Sequence, residues 1–474
     1  MKRRLHDVVV VVPGITGSTL SRRGKVIWAP THRLAAESVL RPEALAQALR
    51  SGDGDGITAD GLMPDAKLVG GLKKVDGYTR LIDALANNFD VRRVNTARPG
   101  ELPPANLIEF PYDWRLDNRV NARRLGEVAE RALGRWQVHT GIPDARLVII
   151  AHSMGGLVAR YFLEVLEGWK LCRALITLGT PFRGSLDSLG YLANGYKKLR
   201  VDLTDTMRTF PSVYQLLPIY KAIHSATGAH RVTEAGDIAG IDGELAVSGL
   251  AFHREIEAAV AANDLVDPHR YALLPVVGTH QTTMQSAVLE GGTLALRPDV
   301  GDGVDRYFGD GLKDGDGTVP ISSASPIDQS NTYFDVYHPE KHGSLQCNPE
   351  VLNTLVGRLA KMQARQLEKL RGPEPQVDPG LEGTSLEIDD EYGVGEPVTI
   401  TAVVHCAAEP ADVIAEVVEV ATGKTDTAVL SRSGHEWSTT MGGLRPGTYR
   451  VTVRARGNGR FPPDIHDLFE VVDE

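Results

Sequence analysis

Ser153, Asp316 and His342 have the types, and the chain order, that could activate a hydroxyl. A serine oxygen is a weak nucleophile until an imidazole takes its proton, and the imidazole keeps the useful tautomer when a carboxylate accepts from its other nitrogen. The chemistry open to such a set is attack on an acyl carbon, with the acyl group held for a time on the serine. Each member lies in a short polar turn: AHSMG at 151–155, DGDGTVP at 314–320 and EKHGS at 340–344. Asp314 stands two residues from Asp316 in the same turn, and His338 and His280 are rival bases. His152 adjoins the serine, but neighbours on an extended turn point apart, so it is badly placed to take the serine proton.

A nucleophile needs an element that presents it. Leu147 to Ile150 form an apolar, β-rich run of the kind a parallel sheet buried on both faces requires, and a helical pattern of Leu157, Val158, Tyr161, Phe162, Val165 and Leu166 starts just after the serine. Strand, sharp turn with a hydroxyl, then helix is the nucleophile elbow of α/β-hydrolases, usually written Gly-x-Ser-x-Gly. Ala151 replaces the first glycine here, and a small residue is what the close approach of strand and helix demands. The bland alternative is a buried strand that merely ends in a polar turn.

An acyl-transferring serine also needs amides aimed at the developing oxyanion. Val8 to Val12 read as a buried strand followed by a tight turn at Pro13 to Gly17, and the loop after an early strand commonly supplies one such amide. Ile15 is the candidate for that backbone donor and Met154, which follows the serine, is the candidate for the other. The aspartates around 302–316 suggest calcium as an alternative use, but the twelve-residue calcium-loop pattern is absent. No metal and no other cofactor is expected.

The remaining segments must carry and cover this site. Residues 34–50 and 72–89 read as helical, with an exposed SGDGDG loop at 51–56. FPYDWR at 110–115 pairs an aspartate with an arginine and reads as a buried salt link bracing the site. Residues 32–105 and 186–269 are cap or lid candidates, the second because it interrupts the strands at 175–178 and 273–278. The strand at 332–337 leads to His342, and a helix at 348–370 closes a catalytic domain spanning 1–371. A linker rich in Pro, Gly and acidic residues is expected at 372–395. Short alternating runs at 396–474, such as Tyr449, Val451 and Val453 against Arg450, Thr452 and Arg454, predict a small immunoglobulin-like β-sandwich. Its expected role is structural or partner-binding.

At 474 residues the chain is long for one core, which favours two domains. A formal net charge of −10 argues against nucleic acid as a partner and gives no general attraction to an anionic membrane, so any transient membrane contact would be local and apolar. The apolar run after the basic start is only Val8 to Val12, too short for a signal peptide, and no run approaches the roughly 20 residues of a spanning helix. Cys172, Cys347 and Cys406 are odd in number and scattered, which fits a reducing cytoplasm without a disulfide framework.

Taken in order, PGITGS at Pro13, FPYDWR at Phe110, AHSMGG at Ala151, LGTPFRGS at Leu178, GDGTVP at Gly315 and the histidine of KHGSL resemble the lecithin:cholesterol acyltransferase family, which includes lysosomal phospholipase A. The resemblance covers about residues 8–360. It implies an α/β-hydrolase fold with a cap and a lid, and acyl transfer from a lipid ester to water or an alcohol. It also implies Ser153 as nucleophile, Asp316 and His342 as its partners, and Ile15 in the oxyanion loop. The secreted and lysosomal members use a signal peptide and disulfides, so this chain is expected to be a bacterial-type, cytoplasmic relative. Two other readings stay open: an esterase or thioesterase on small soluble substrates, and a non-catalytic scaffold whose working part is the sandwich.

Overall fold

A computed structural model of the chain describes residues 2–29, 42–50, 56–67, 73–97, 102–198, 201–267, 270–299, 314–326, 336–363, 383–389, 391–406, 408–420, 422–459, 461–462 and 464–472. Its organising element is a parallel sheet of seven described strands. Their order across the sheet is Val336–His338, Ala272–Gly278, Cys172–Leu178, Leu147–His152, Val8–Val12, Leu107–Glu109 and Arg93–Asn95. Val8–Val12 is all β-branched and wholly buried, as a strand covered on both faces must be. Leu147–His152 lies between Val8–Val12 and Cys172–Leu178, so the strand that delivers Ser153 sits at the middle of the sheet.

Helices pack against the sheet. Asn118–Thr140 starts where the Asp117 side chain accepts from the Arg119 amide and stops at Gly141, which takes the left-handed conformation at φ 68°. It buries Ala122, Leu125, Ala129, Leu133 and Trp136 on one side. Met154–Glu164 is buried along its whole length. Gly243–Asp264 is capped by Asp242, whose carboxylate accepts from the Glu244 and Leu245 amides, and its Phe252 stacks on Tyr161 with centroids 5.3 Å apart.

Three sequence expectations change. The stretch 186–269 is not one lid, because Gly243–Asp264 is a crossover helix packed on Met154–Glu164 through its apolar face. The stretch 32–105 also contains Arg93–Asn95, an edge strand of the central sheet, and Thr79–Asn88, whose Leu81, Ile82 and Leu85 are buried in the same core. Strands Gly383–Glu387 and Glu391–Gly393 fall inside the expected linker, and Leu386 and Tyr392 belong to the sandwich core. Their alternation was hidden by surrounding acidic and glycine residues.

The C-terminal region is two β-sheets sharing one core. Gly383–Glu387, Val398–His405, Glu436–Met441 and Ser431–Ser433 form one sheet; Glu391–Gly393, Ile465–Val472, Gly447–Arg456, Asp412–Glu419 and Thr425–Val429 form the other. Tyr449, Val451 and Val453 point into that core, as the period-two alternation requires. The expected helix at 34–41, the loop at 51–55, the strand residues 332–335, the aspartates at 302, 305 and 310, the helix end at 364–370 and the linker at 371–382 lie outside the described residues. Among the described residues no helix is long and apolar enough to cross a membrane.

Candidate active site

Ser153 follows directly on Leu147–His152 and opens Met154–Glu164. Its backbone has φ 51° and ψ −128°, a conformation an L-residue adopts only under constraint. The constraint is visible: the Ser153 amide donates to Leu178 O at 2.9 Å, and its carbonyl accepts from the Gly156 amide at 2.9 Å and Thr180 Oγ1 at 3.1 Å. The turn thus lifts the side chain out of the sheet plane toward the loops at the strands' C-terminal ends.

Those loops bring two of the sequence candidates to it. His342 Nε2 lies 2.8 Å from Ser153 Oγ, and His342 Nδ1 lies 2.7 Å from Asp316 Oδ2. The other Asp316 oxygen accepts from the Thr318 and Val319 amides at 3.0 and 2.7 Å, which fixes the carboxylate and keeps its Oδ2 facing the ring. A backbone bond from His342 N to Asp316 O, 2.8 Å, ties the two loops together. Burial alone would pull the His342 pKa down, but the Asp316 charge and hydrogen bond outweigh it and hold the imidazole above its ordinary value. Such a ring is a stronger base toward the serine proton.

Gly179 makes room for this contact. It has φ +57°, and a Cβ there would fall 2.8 Å from Asp316 Oδ2 and 3.0 Å from His342 Nδ1. The rival residues face elsewhere. His280 contacts Thr279 Oγ1 and the His405 ring, the His338 carbonyl accepts from the Thr279 amide, and Asp314 is exposed with its charge interacting with His405.

The turn after Val8–Val12 abuts the serine: a Cβ on Gly14 would sit 2.9 Å from Ser153 Cβ. It is held at several points. Tyr112 Oη donates to Pro13 O at 2.9 Å, the Gly14 amide donates to Tyr78 Oη at 2.8 Å, and Trp28 Nε1 donates to Thr16 O at 3.0 Å. Thr16 itself has φ 59°. Among the described residues neither the Ile15 nor the Met154 amide donates to a protein acceptor. Met154 is the first residue of its helix, where an amide has no intrahelical partner.

FPYDWR works as a brace for this turn. Arg115 binds the Asp113 carboxylate through Nε at 2.9 Å and Nη2 at 2.6 Å, both residues being buried. The flanking Tyr112 amide donates to Ser18 Oγ and Trp114 Nε1 donates to Ser18 O. Tyr78 and His152 were not foreseen as parts of the site. His152 Nδ1 lies 2.9 Å from Tyr78 Oη, and its Nε2 lies 3.0 Å from His342 O. Burial, then the nearby His342 charge, push the His152 pKa down to about 3, so its ring is neutral. Nothing in the local sequence marks Tyr78, which looks like the first apolar residue of a helix. Among the described residues no group of three or more His, Cys, Asp or Glu side chains converges as a metal site would.

Residues 88–266 match the family model described as lecithin:cholesterol acyltransferase. That range contains Ser153, whereas Asp316 and His342 lie beyond it. An uncharacterised protein of Saccharomyces cerevisiae is 31% identical over 180 residues, 37% of this chain and 23% of that protein. The lysosomal phospholipase A and acyltransferase of Homo sapiens is 34% identical over 88 residues, 18% of this chain and 20% of the relative. The matched stretches thus span less than a quarter of these curated relatives. Among solved structures, a Bacillus licheniformis lipase in its propeptide form aligns over 94% of this chain and 71% of its own, with a TM-score of 0.34 and 13% identity.

Proposed function

With residues 88–266 carrying the lecithin:cholesterol acyltransferase match, we propose that the chain is a serine-dependent enzyme of acyl transfer on lipid esters, acting as a phospholipase or lipase or as an O-acyltransferase. The observation that carries this reading is the continuous chain from Ser153 Oγ to His342 to Asp316 at a strand-to-helix turn. In the proposed mechanism Ser153 Oγ attacks the ester carbonyl carbon as its proton passes to His342 Nε2. The Nδ1 proton of His342 stays on the Asp316 side, which stabilises the imidazolium that forms. Ile15 and Met154 amides receive the oxyanion. Collapse breaks the ester C–O bond, the leaving alkoxide takes the proton from Nε2, and the acyl group remains on Ser153. Water or an alcohol then repeats the sequence in reverse and releases acid or a new ester.

The catalytic work falls to residues 1–371 in this reading, with the sandwich beyond about 383 as a second domain. Its substrate is a lipid ester met at a transient, local membrane contact. No disulfide joins Cys172, Cys347 and Cys406, which supports a cytoplasmic setting.

The test is to incubate pure protein with a panel of phospholipids and neutral lipid esters, with and without lipid alcohols, and to identify acyl products by mass. Free acid or acyl alcohol from the native chain, absent with Ser153→Ala, is the expected result. Turnover confined to short monomeric esters would move the reading to a soluble esterase. Labelling by a fluorophosphonate that persists in Ser153→Ala would overturn the nucleophile.

A further inference from the structure

The three triad residues are not held alike. Ser153 ends a six-residue strand in the middle of the central sheet. His342 follows Val336–His338, a three-residue strand at the sheet's edge, and Asp316 lies in a turn bridged to Gln281 rather than in any strand of that sheet. A strand last in the order of the described sheet is held from one side, so the loops of the acid and base gain from support outside the sheet.

That support comes from the C-terminal sandwich. Lys341, the residue before His342, forms an ion pair with Asp467 in the sandwich strand Ile465–Val472. Gln281 exchanges backbone bonds with Gly315 at 3.1 and 3.3 Å, and its side-chain amide donates to Thr384 O at 3.2 Å in the sandwich strand Gly383–Glu387. The ring of His280 lies 4.3 Å from that of His405 in the sandwich strand Val398–His405. Gly383 approaches so closely that a Cβ there would overlap the ring of Pro339. On the catalytic side Lys341 adjoins His342, Gln281 bonds to the turn of Asp316, His280 adjoins Gln281 and Pro339 stands three residues before His342. None of them reaches the elbow.

We infer that the sandwich is a positioning element of the triad, docked on the loops of Asp316 and His342 so that carboxylate and imidazole are held in register with Ser153. The inference rests on the acyl-transfer reading above. Reactive alignment is steep in distance: a misplacement of about 1 Å can cost about a hundredfold in rate. None of the described sandwich contacts named above is to Ser153 Oγ or the His342 ring, so losing them is felt in the chemical step rather than in substrate binding.

The experiment uses the full chain. Gly383→Val wedges the sandwich away from Pro339 and is expected to lower kcat about tenfold or more, with KM changed less than about threefold. Because the wedge also strains the sandwich itself, a second set reverses the partly exposed ion pair. Lys341→Asp and Asp467→Lys each place like charges face to face and lower kcat, and the double variant Lys341→Asp/Asp467→Lys restores it. Thermal unfolding of every variant reports whether the fold persists. Folded wedge variants with native kcat, or a double variant no more active than either single one, would overturn the inference. Failure of the acyl-transfer reading shows differently, as a native chain with no acyl product and no fluorophosphonate labelling.

Discussion

His152 Nε2 lies 3.0 Å from the backbone carbonyl of His342, so the residue beside the proposed nucleophile grips the residue proposed as its base. The other face of the same ring meets Tyr78 Oη at 2.9 Å, and that hydroxyl accepts from the Gly14 amide at 2.8 Å. A neutral His152 satisfies every member of this chain: the tyrosine donates to Nδ1, and Nε2–H donates to the His342 carbonyl. The turn at Gly14 and the loop of His342 are therefore joined through two buried side chains, Tyr78 and His152.

Removing the joint gives the first prediction. Tyr78→Phe keeps the ring and deletes the hydroxyl that serves both the Gly14 amide and His152, leaving two buried groups without their partner. Losing a buried partner costs about 1–3 kcal/mol, and part of that loss is expected as a kcat lower by about tenfold with little change in KM. His152→Gln, which can still donate toward the His342 carbonyl, should retain more activity than His152→Leu. Equal activities in the glutamine and leucine variants would show that packing, not the hydrogen bond, is what matters.

The second prediction concerns the imidazole. Asp316 raises the His342 pKa against the opposing effect of burial, and the base works only when unprotonated. The rate should thus rise with pH along an acid limb set above the ordinary histidine value of about 6.5. Asp316→Asn removes the charge, moves that limb to lower pH and reduces kcat by about 10⁴-fold by analogy with other serine triads. A kcat/KM profile measured from pH 4 to 9 for both proteins checks the direction of the shift.

The parts of the site that were legible in the sequence are those written in local pattern. Leu147 to Ile150 followed by a serine and a helical period announces the elbow because strand and helix periodicities meet there. The turns of Asp316 and His342 announce themselves by Gly, Pro and polar residues after apolar runs. Tyr78 and Gly179 were not legible, since their roles depend on contacts with residues 64 to 163 positions away. The sandwich edge at Gly383–Glu387 was read as linker because GTSLE has one large apolar residue, and what makes it a strand is pairing with Val398–His405. The crossover helix Gly243–Asp264 was absorbed into a lid because the polar stretch before it gives no boundary.

Acid should destabilise the fold, and the sign follows from which histidines are buried neutral. Burial lowers the pKa of His152 to about 3 and those of His280 and His338 to about 4. A histidine depressed in the folded state contributes full stability above its unfolded value of about 6.5. That contribution is lost as pH falls from there toward the folded values. His342 is shifted the opposite way and its contribution is lost as pH rises, but it is one group against five, since burial also lowers His253 and His405. The unfolding midpoint is expected to drop steadily between pH 6.5 and 4, and His152→Gln should make the slope shallower. A slope unchanged in that variant would remove His152 from the account.

Gly179→Ala isolates the contact between acid and base. The added methyl group would press on both Asp316 Oδ2 and His342 Nδ1 from beside their contact, at 2.8 and 3.0 Å, and the backbone at φ +57° adds a strain of about 1–2 kcal/mol for any residue with a Cβ. Neither ring nor carboxylate can retreat freely, because Asp316 is bound by the Thr318 and Val319 amides and His342 by His152 through its carbonyl. The turn that carries Ser153 is bonded to both chain neighbours of Gly179, through Leu178 O and Thr180 Oγ1, so labelling at Ser153 also checks that this turn survives. The variant is expected to fold, to lose about a hundredfold in kcat, and to react with fluorophosphonate correspondingly slowly while still reacting at Ser153. Labelling at the native rate, measured by intact-protein mass over time, would mean that the Asp316 to His342 contact does not set the reactivity of the serine.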